Sequence, residues 1–110
     1  MKLWILILLF PLLTYSQYKN NISVVQFSAE FVENAQVDLS QINDASIYTL
    51  LLSKEKKFFI SEEVVYLPTV VLYHNKKEVI RIESGIGLTL PDNTLNLIQH
   101  EINKIKKRKF

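Results

Sequence analysis

The chain has 110 residues, 48% of them hydrophobic and 22% charged, which fits one globular domain and excludes a disordered chain. Its net charge is +2, too small for a protein that binds polyanions over its whole surface. It has no cysteine, so disulfide and thiolate chemistry are excluded, and only two glycines, few for a β-sandwich or barrel.

The N-terminus has the three parts of a secretory signal peptide. Met1-Lys2 is a short basic start, residues 3–13 are apolar, and small residues stand at Thr14 and Ser16, where signal peptidase inspects the chain. The apolar run is shorter than the roughly 20 residues of a membrane-spanning helix, and it contains Pro11.

We therefore predict a signal peptide over residues 1–16, cleaved after Ser16, and one exported domain over residues 17–110, periplasmic or secreted. The alternative is an uncleaved N-terminal anchor. A lipoprotein anchor is excluded, because no cysteine follows the apolar run.

The first half of the mature chain indicates a strand, a helix and a strand. Residues 22–27 are a compact apolar run with adjacent valines, typical of a strand buried on both faces. In residues 29–43 the apolar period becomes three to four, which predicts a helix, and residues 47–52 are a second strand. Such a unit implies that the two strands are parallel. The apolar face of the predicted helix consists of Val32, Ala35, Leu39 and Ile42.

The second half indicates a hairpin. Residues 53–63 predict a short helix capped by Ser53, or alternatively a loop lying on the sheet. Residues 69–74 are a third strand, and residues 78–83 alternate as a fourth strand after a polar turn.

A last helix is predicted to start between Thr89 and Asp92, which have capping-box spacing, after a loop that contains Gly85 and Gly87. The order predicts an α/β fold: a four-stranded mixed sheet with helices on both faces. The apolar stripe of the last helix consists of Leu95, Ile98, Ile102 and Ile105.

Three segments resemble the thioredoxin family, and together they cover most of residues 22–106. The run Phe27-Ser28-Ala29-Glu30-Phe31 is close to the family's aromatic-x-Ala-x-aromatic pattern, which ends its central strand. Leu67-Pro68-Thr69 is similar to its hydrophobic-Pro-Thr motif, whose proline is cis. Residues 70–83 resemble its terminal strand–turn–strand. The chain also resembles small exported bacterial members that drop the first strand and helix.

The chain departs from the family at the positions that carry its chemistry. The resemblance places the two redox cysteines at Val32 and Ala35, the buried acid at Gln26, and the tryptophan before the first cysteine at Phe31. Disulfide exchange needs a thiolate, which neither valine nor alanine supplies, and the hydroxyl of Ser28 is no substitute. We therefore predict a redox-inactive protein with no catalytic residue.

The resemblance also implies a peptide groove. In the family the cis proline lies beside the redox site, and the adjacent backbone pairs with bound peptide. Here the groove would be an apolar patch of Phe31, Val32, Leu67 and Pro68. The alternative is that Pro68 only shapes the loop before the third strand.

The C-terminus carries the one charge cluster of the sequence. Basic side chains at a helix end stabilise the helix dipole, and the alternative is weak contact with an anionic membrane surface. The cluster consists of Lys104, Lys106, Lys107, Arg108 and Lys109.

No other pattern indicates a site. His74 and His100 lie on different predicted elements, so no metal site is expected. Glu62-Glu63 is interpreted as a solvated face rather than an acid/base pair. There is no glycine-rich phosphate loop and no basic aromatic platform, so neither a cofactor nor a nucleic acid is expected.

The preferred hypothesis is an exported, redox-inactive thioredoxin-like domain that binds a protein or extended peptide as a partner or scaffold. One alternative is a structural accessory protein that uses its sheet edge or basic C-terminal tail. Another is an indirect role in thiol-redox homeostasis, and a third is an oxidoreductase that uses something other than cysteine.

Overall fold

The computed structural model describes residues 17–108, so the predicted signal peptide and Lys109 lie outside the described residues. Four strands form one sheet in the order β2-β1-β3-β4. β2 is parallel to β1, β3 is antiparallel to β1, and β4 is antiparallel to β3. The strands are β1 (Ile22–Ser28), β2 (Ser46–Leu51), β3 (Thr69–His74) and β4 (Lys77–Glu83).

Two α-helices, α1 (Lys56–Ser61) and α2 (Thr94–Arg108), and three short 3-10 segments complete the described part. The 3-10 segments span Gln17–Lys19, Glu30–Ala35 and Leu39–Gln41. Within residues 17–108, no helix is long and apolar enough to cross a bilayer.

The core lies on both faces of the sheet, because β1 is buried along its whole length. Successive strand residues point to opposite faces, so Val24 packs in one apolar cluster and Phe27 in the other. The buried stripe of α2 covers the first face, and Phe58 and Phe59 of α1 cover the second. The predicted four-stranded mixed sheet with helices on both faces is confirmed.

The predicted helix over residues 29–43 is wrong. The chain instead forms the two 3-10 segments Glu30–Ala35 and Leu39–Gln41, and Val32 has non-helical dihedral angles of φ −119° and ψ 20°. Val32, Leu39 and Ile42 are buried as their spacing predicted, but separate short turns bury them. The parallel pairing of β1 with β2 is confirmed.

Both predicted helix caps are also wrong, although the helices form. The Ser53 hydroxyl donates to the Glu30 carboxylate at 2.9 Å, and α1 begins after Glu55. The Thr89 hydroxyl donates to the Gly87 carbonyl at 3.2 Å. α2 begins at Thr94, whose buried hydroxyl donates to the Pro91 carbonyl at 2.6 Å.

Glu62 is not on the solvated face that its sequence neighbourhood predicted. Its carboxylate accepts the Tyr73 hydroxyl at 2.5 Å and pairs with the Lys19 ammonium at 2.7 Å. Burial, and then the hydrogen bond to Glu62, raise the pKa of Tyr73 above its ordinary value, so this hydroxyl stays a donor. The network fastens the first 3-10 segment to the second face of the sheet.

Candidate functional site

The candidate site lies at the end of the sheet where β1 stops and β3 starts. Phe27 pairs with Thr69 in the antiparallel register, so the next residues outward, Ser28 and Pro68, lie across from each other. The segment Glu30–Ala35 leaves β1 at this end. The first two stretches that carry the family resemblance therefore meet at one end of the sheet. The third begins and ends there, since Thr69 pairs with Glu83.

Residues 29–45 connect β1 to β2 and are called the crossover here. The two positions where the resemblance places redox cysteines lie in its first 3-10 segment, Glu30–Ala35. The Val32 side chain is buried, with 4% of its surface exposed, and its N–H donates to the Ala29 carbonyl at 3.1 Å. Ala35, the last residue of the turn, is half-buried. Val32 therefore fills core space at a position where the family's chemistry would require an accessible thiolate.

Gln26 is at the position where the resemblance places the buried acid. The oxygen and the nitrogen of its side-chain amide both form hydrogen bonds to the crossover. Its Oε1 accepts the Val37 N–H at 2.9 Å, and its Nε2 donates to the Val37 carbonyl at 3.0 Å. The same Nε2 donates to the Thr49 hydroxyl of β2 at 3.3 Å. The fully buried side chain thus has partners for all its polar groups, as burial requires.

This pairing explains why the crossover is not a helix. A helical residue directs its N–H and its carbonyl to residues four positions away along the chain. Val37 gives both groups to Gln26, and the backbone of Gln36 and of Asp38 on either side is extended. The Asp38 side chain then accepts the Ser40 N–H at 3.1 Å and starts the second 3-10 segment.

Sequence reasoning missed a second amide that fixes the same segment. Gln36 Nε2 donates to the hydroxyl of Ser28 at 2.8 Å, and Ser28 is fully buried at the end of β1. The Ser28 hydroxyl cannot replace a thiolate, but in the structure it accepts this hydrogen bond. The one signal in the sequence is the pair of polar residues, Gln26 and Ser28, on either side of Phe27 near the end of a mainly apolar strand.

The Leu67–Pro68 peptide bond is cis. Pro68 is buried, and its carbonyl accepts the Ser84 N–H at 3.2 Å. Leu67 is half-buried and packs against the second apolar cluster. The proline loop is thus held from both sides, by β1 and by the residue that follows β4.

The four residues predicted to form an apolar patch differ widely in exposure. Phe31 is 72% exposed, whereas Val32 and Pro68 are buried and Leu67 is half-buried. Phe31 therefore supplies most of the apolar surface that the predicted patch presents to solvent.

The basic cluster is partly neutralised within the chain. Lys106 lies 2.8 Å from the Asp44 carboxylate, and Lys104 lies 3.5 Å from that of Glu101. Lys107 and Arg108 are exposed at the end of α2. Among residues 17–108, no group of three or more histidine or acidic side chains is placed to hold a metal ion.

Comparisons with known proteins identify the fold and not the activity. No family model matches the chain, and no curated protein does. Among solved structures, a mutant thioredoxin from Halobacterium salinarum is similar over 76% of this chain and 77% of that one, with 20% identity and a TM-score of 0.57. A mutant thioredoxin from Entamoeba histolytica is similar over 84% and 92%, with 17% identity and a TM-score of 0.60.

Thioredoxin from Fasciola hepatica is similar over 80% of this chain and 86% of that one, with 17% identity and a TM-score of 0.57. The fold is therefore thioredoxin-like, and the chain that adopts it contains no cysteine.

Restoring an acid with Gln26→Glu should make stability depend on pH. Only the protonated carboxyl can donate to the Val37 carbonyl as the amide does, and burial raises a carboxyl pKa above its ordinary value of about 4.3. Relative to wild type, the variant is thus most stable below about pH 4.3. It loses stability as pH rises through the folded-state pKa, by about 3 kcal/mol at pH 7.

Chemical denaturation from pH 4 to pH 8 measures this effect against Gln41→Glu, whose side chain is exposed. The role assigned to Gln26 is wrong if the free energies of unfolding of the two variants follow the same pH profile.

Proposed function

We propose that this cysteine-free thioredoxin-like protein performs no thiol–disulfide exchange and binds an extended peptide or a protein segment at the end of its sheet. The observation that carries the proposal is the structural use of the positions where the resemblance places the redox centre. Gln26 binds the Val37 backbone, and Val32 fills the core. The cis-proline loop at this end of the sheet is nevertheless present, with Pro68 buried.

Phe31 supports the binding role. A phenylalanine that is 72% exposed leaves a large apolar ring in water, and such rings are frequent anchors in protein interfaces. It stands next to the buried Val32 on a turn that Gln36 and Ser53 fix from two sides, through Ser28 and Glu30. A partner that covered this ring would meet a surface that is already ordered, which lowers the entropy cost of binding.

The weak membrane contact of the basic cluster is kept as the second candidate. Lys107 and Arg108 are exposed, which favours it, and they adjoin Lys109 beyond the described residues. The ion pair of Lys106 with Asp44 removes charge from the cluster, and one small basic patch seldom anchors a protein stably. Binding to anionic vesicles that persists at high salt would contradict this electrostatic contact.

Export from the cytoplasm is part of the proposal and rests on residues 1–16. We expect the exported chain to begin at Gln17. Intact-mass measurement of the protein from the cell envelope or medium checks this, and a chain that stays in the cytoplasm with Met1 in place would contradict it.

Peptide binding should depend on the exposed ring. We expect Phe31→Ser to weaken the binding of a peptide selected from a displayed library of unstructured sequences by at least about tenfold, the effect of removing an interface anchor. Ile60→Ser is the matched control, because Ile60 is 66% exposed and lies on α1, outside the predicted patch. Titration calorimetry or fluorescence anisotropy measures the dissociation constants.

Pro68→Ala provides an independent check of the same groove. If this variant remains folded and binds the selected peptide as well as wild type does, the proline loop takes no part in binding. The prediction of a peptide groove that includes Pro68 is then wrong.

The redox-inactive part has its own test. In an insulin-reduction assay with dithiothreitol, the chain should leave the rate at that of the uncatalysed reaction, because it offers no thiolate. A thioredoxin with both cysteines serves as the positive control. Catalysis by this chain would show an oxidoreductase that works without cysteine.

A further inference from the structure

Within residues 17–108, one edge of the sheet presents backbone groups that no other strand pairs. β2 is the outermost strand on its side, and the Leu52 N–H just beyond it donates to the Ser28 carbonyl at 2.9 Å. Backbone groups alternate in direction along a strand, so those of Ile47, Thr49 and Leu51 point away from β1. The Leu51 carbonyl already accepts the N–H groups of Lys54 and Glu55, each at 3.0 Å.

The two edges of the sheet are protected very differently. β4 carries four charged residues, Lys77, Glu78, Arg81 and Glu83, and its pairing with β3 is interrupted by an irregularity at Leu72 and Tyr73. Charges and bulges of this kind keep an edge strand from pairing with another chain. β2, with the sequence Ser-Ile-Tyr-Thr-Leu-Leu, has no charge, no proline and no glycine. It has the composition of a strand that pairs readily.

We propose that β2 is a dimerisation edge, where the β2 of a second copy of this chain pairs antiparallel and the two sheets become one. A two-fold axis at Thr49 brings the two Thr49 residues opposite each other. They exchange both backbone hydrogen bonds, and the Leu51 N–H of each protomer donates to the Ile47 carbonyl of its partner. About four backbone bonds then join the protomers.

The edge is self-complementary in this register, which favours a second copy. With Thr49 on the axis, Ile47 of one protomer lies opposite Leu51 of its partner, and the pair occurs twice. No charged residue lies within β2, so no like charges meet across the paired strands.

Acidic residues of the crossover limit the affinity. A groove of about 520 Å³ runs beside the edge, and Glu33 and Asp38 line it together with Ile47 and Thr49. The two copies bring these carboxylates closer to each other. Exposed charges are screened beyond roughly 8 Å at physiological salt. We therefore expect the dimer to strengthen as salt rises from low to physiological concentration.

Sedimentation equilibrium of the purified chain, with its N-terminus defined by intact mass, measures the dimer over micromolar to millimolar concentrations. We expect Ile47→Lys to weaken dimerisation at least about tenfold, because it places a charge between the two paired β2 strands. Val79→Lys on β4 should have no effect. The two positions are matched, since Ile47 is 39% exposed and Val79 is 40% exposed.

Amide hydrogen exchange of the unmodified chain decides the proposal even if the variants fold poorly. The outward N–H of Thr49 should exchange fast in dilute solution and become protected as the concentration rises. A chain that is monomeric at every concentration overturns the proposal. So does a Thr49 amide protected to the same degree at all concentrations, because a segment of its own chain then covers the edge.

Discussion

The amide of Gln26 is the interaction on which the rest of this structure depends. It joins the central strand to Val37, eleven residues later, through two hydrogen bonds, and it reaches Thr49 on the neighbouring strand. A carboxylate could accept the Val37 N–H but not donate to its carbonyl, so the neutral side chain is needed for both bonds. The amide at the position where the resemblance places a buried acid therefore forms the hydrogen bonds that shape the crossover.

The strands and α2 could be predicted from sequence because their apolar periods report which face is buried. The crossover could not, since a spacing of three and four residues suits a helix and a pair of 3-10 turns equally well. What separates the two is the bond from Gln26 to Val37, a tertiary contact that no local pattern contains. The caps failed for a related reason, because Ser53 and Thr89 bond to Glu30 and Gly87 instead of the helix ends.

The sequence motifs predict which segments lie together at the candidate site, but not how exposed their side chains are. Short motifs place Val32, Gln26 and Pro68, and the register brings their segments to one end of the sheet. Short motifs contain no measure of side-chain exposure, and the predicted patch is mostly buried apart from Phe31. The site also lacks the long helix that the apolar spacing of residues 29–43 predicts, so a bound segment would meet short turns held by glutamine side chains.

The contacts of the first 3-10 segment would constrain the proposed removal of residues 1–16. Tyr18 packs against Tyr48 and Phe58, and Lys19 bonds to Glu62, so the folded body begins one residue after the proposed cleavage point. Proteases cut chains that are locally extended and free of tertiary contacts. Removal of a leader between Ser16 and Gln17 would thus be fastest on the emerging, unfolded chain, and premature folding would compete with processing.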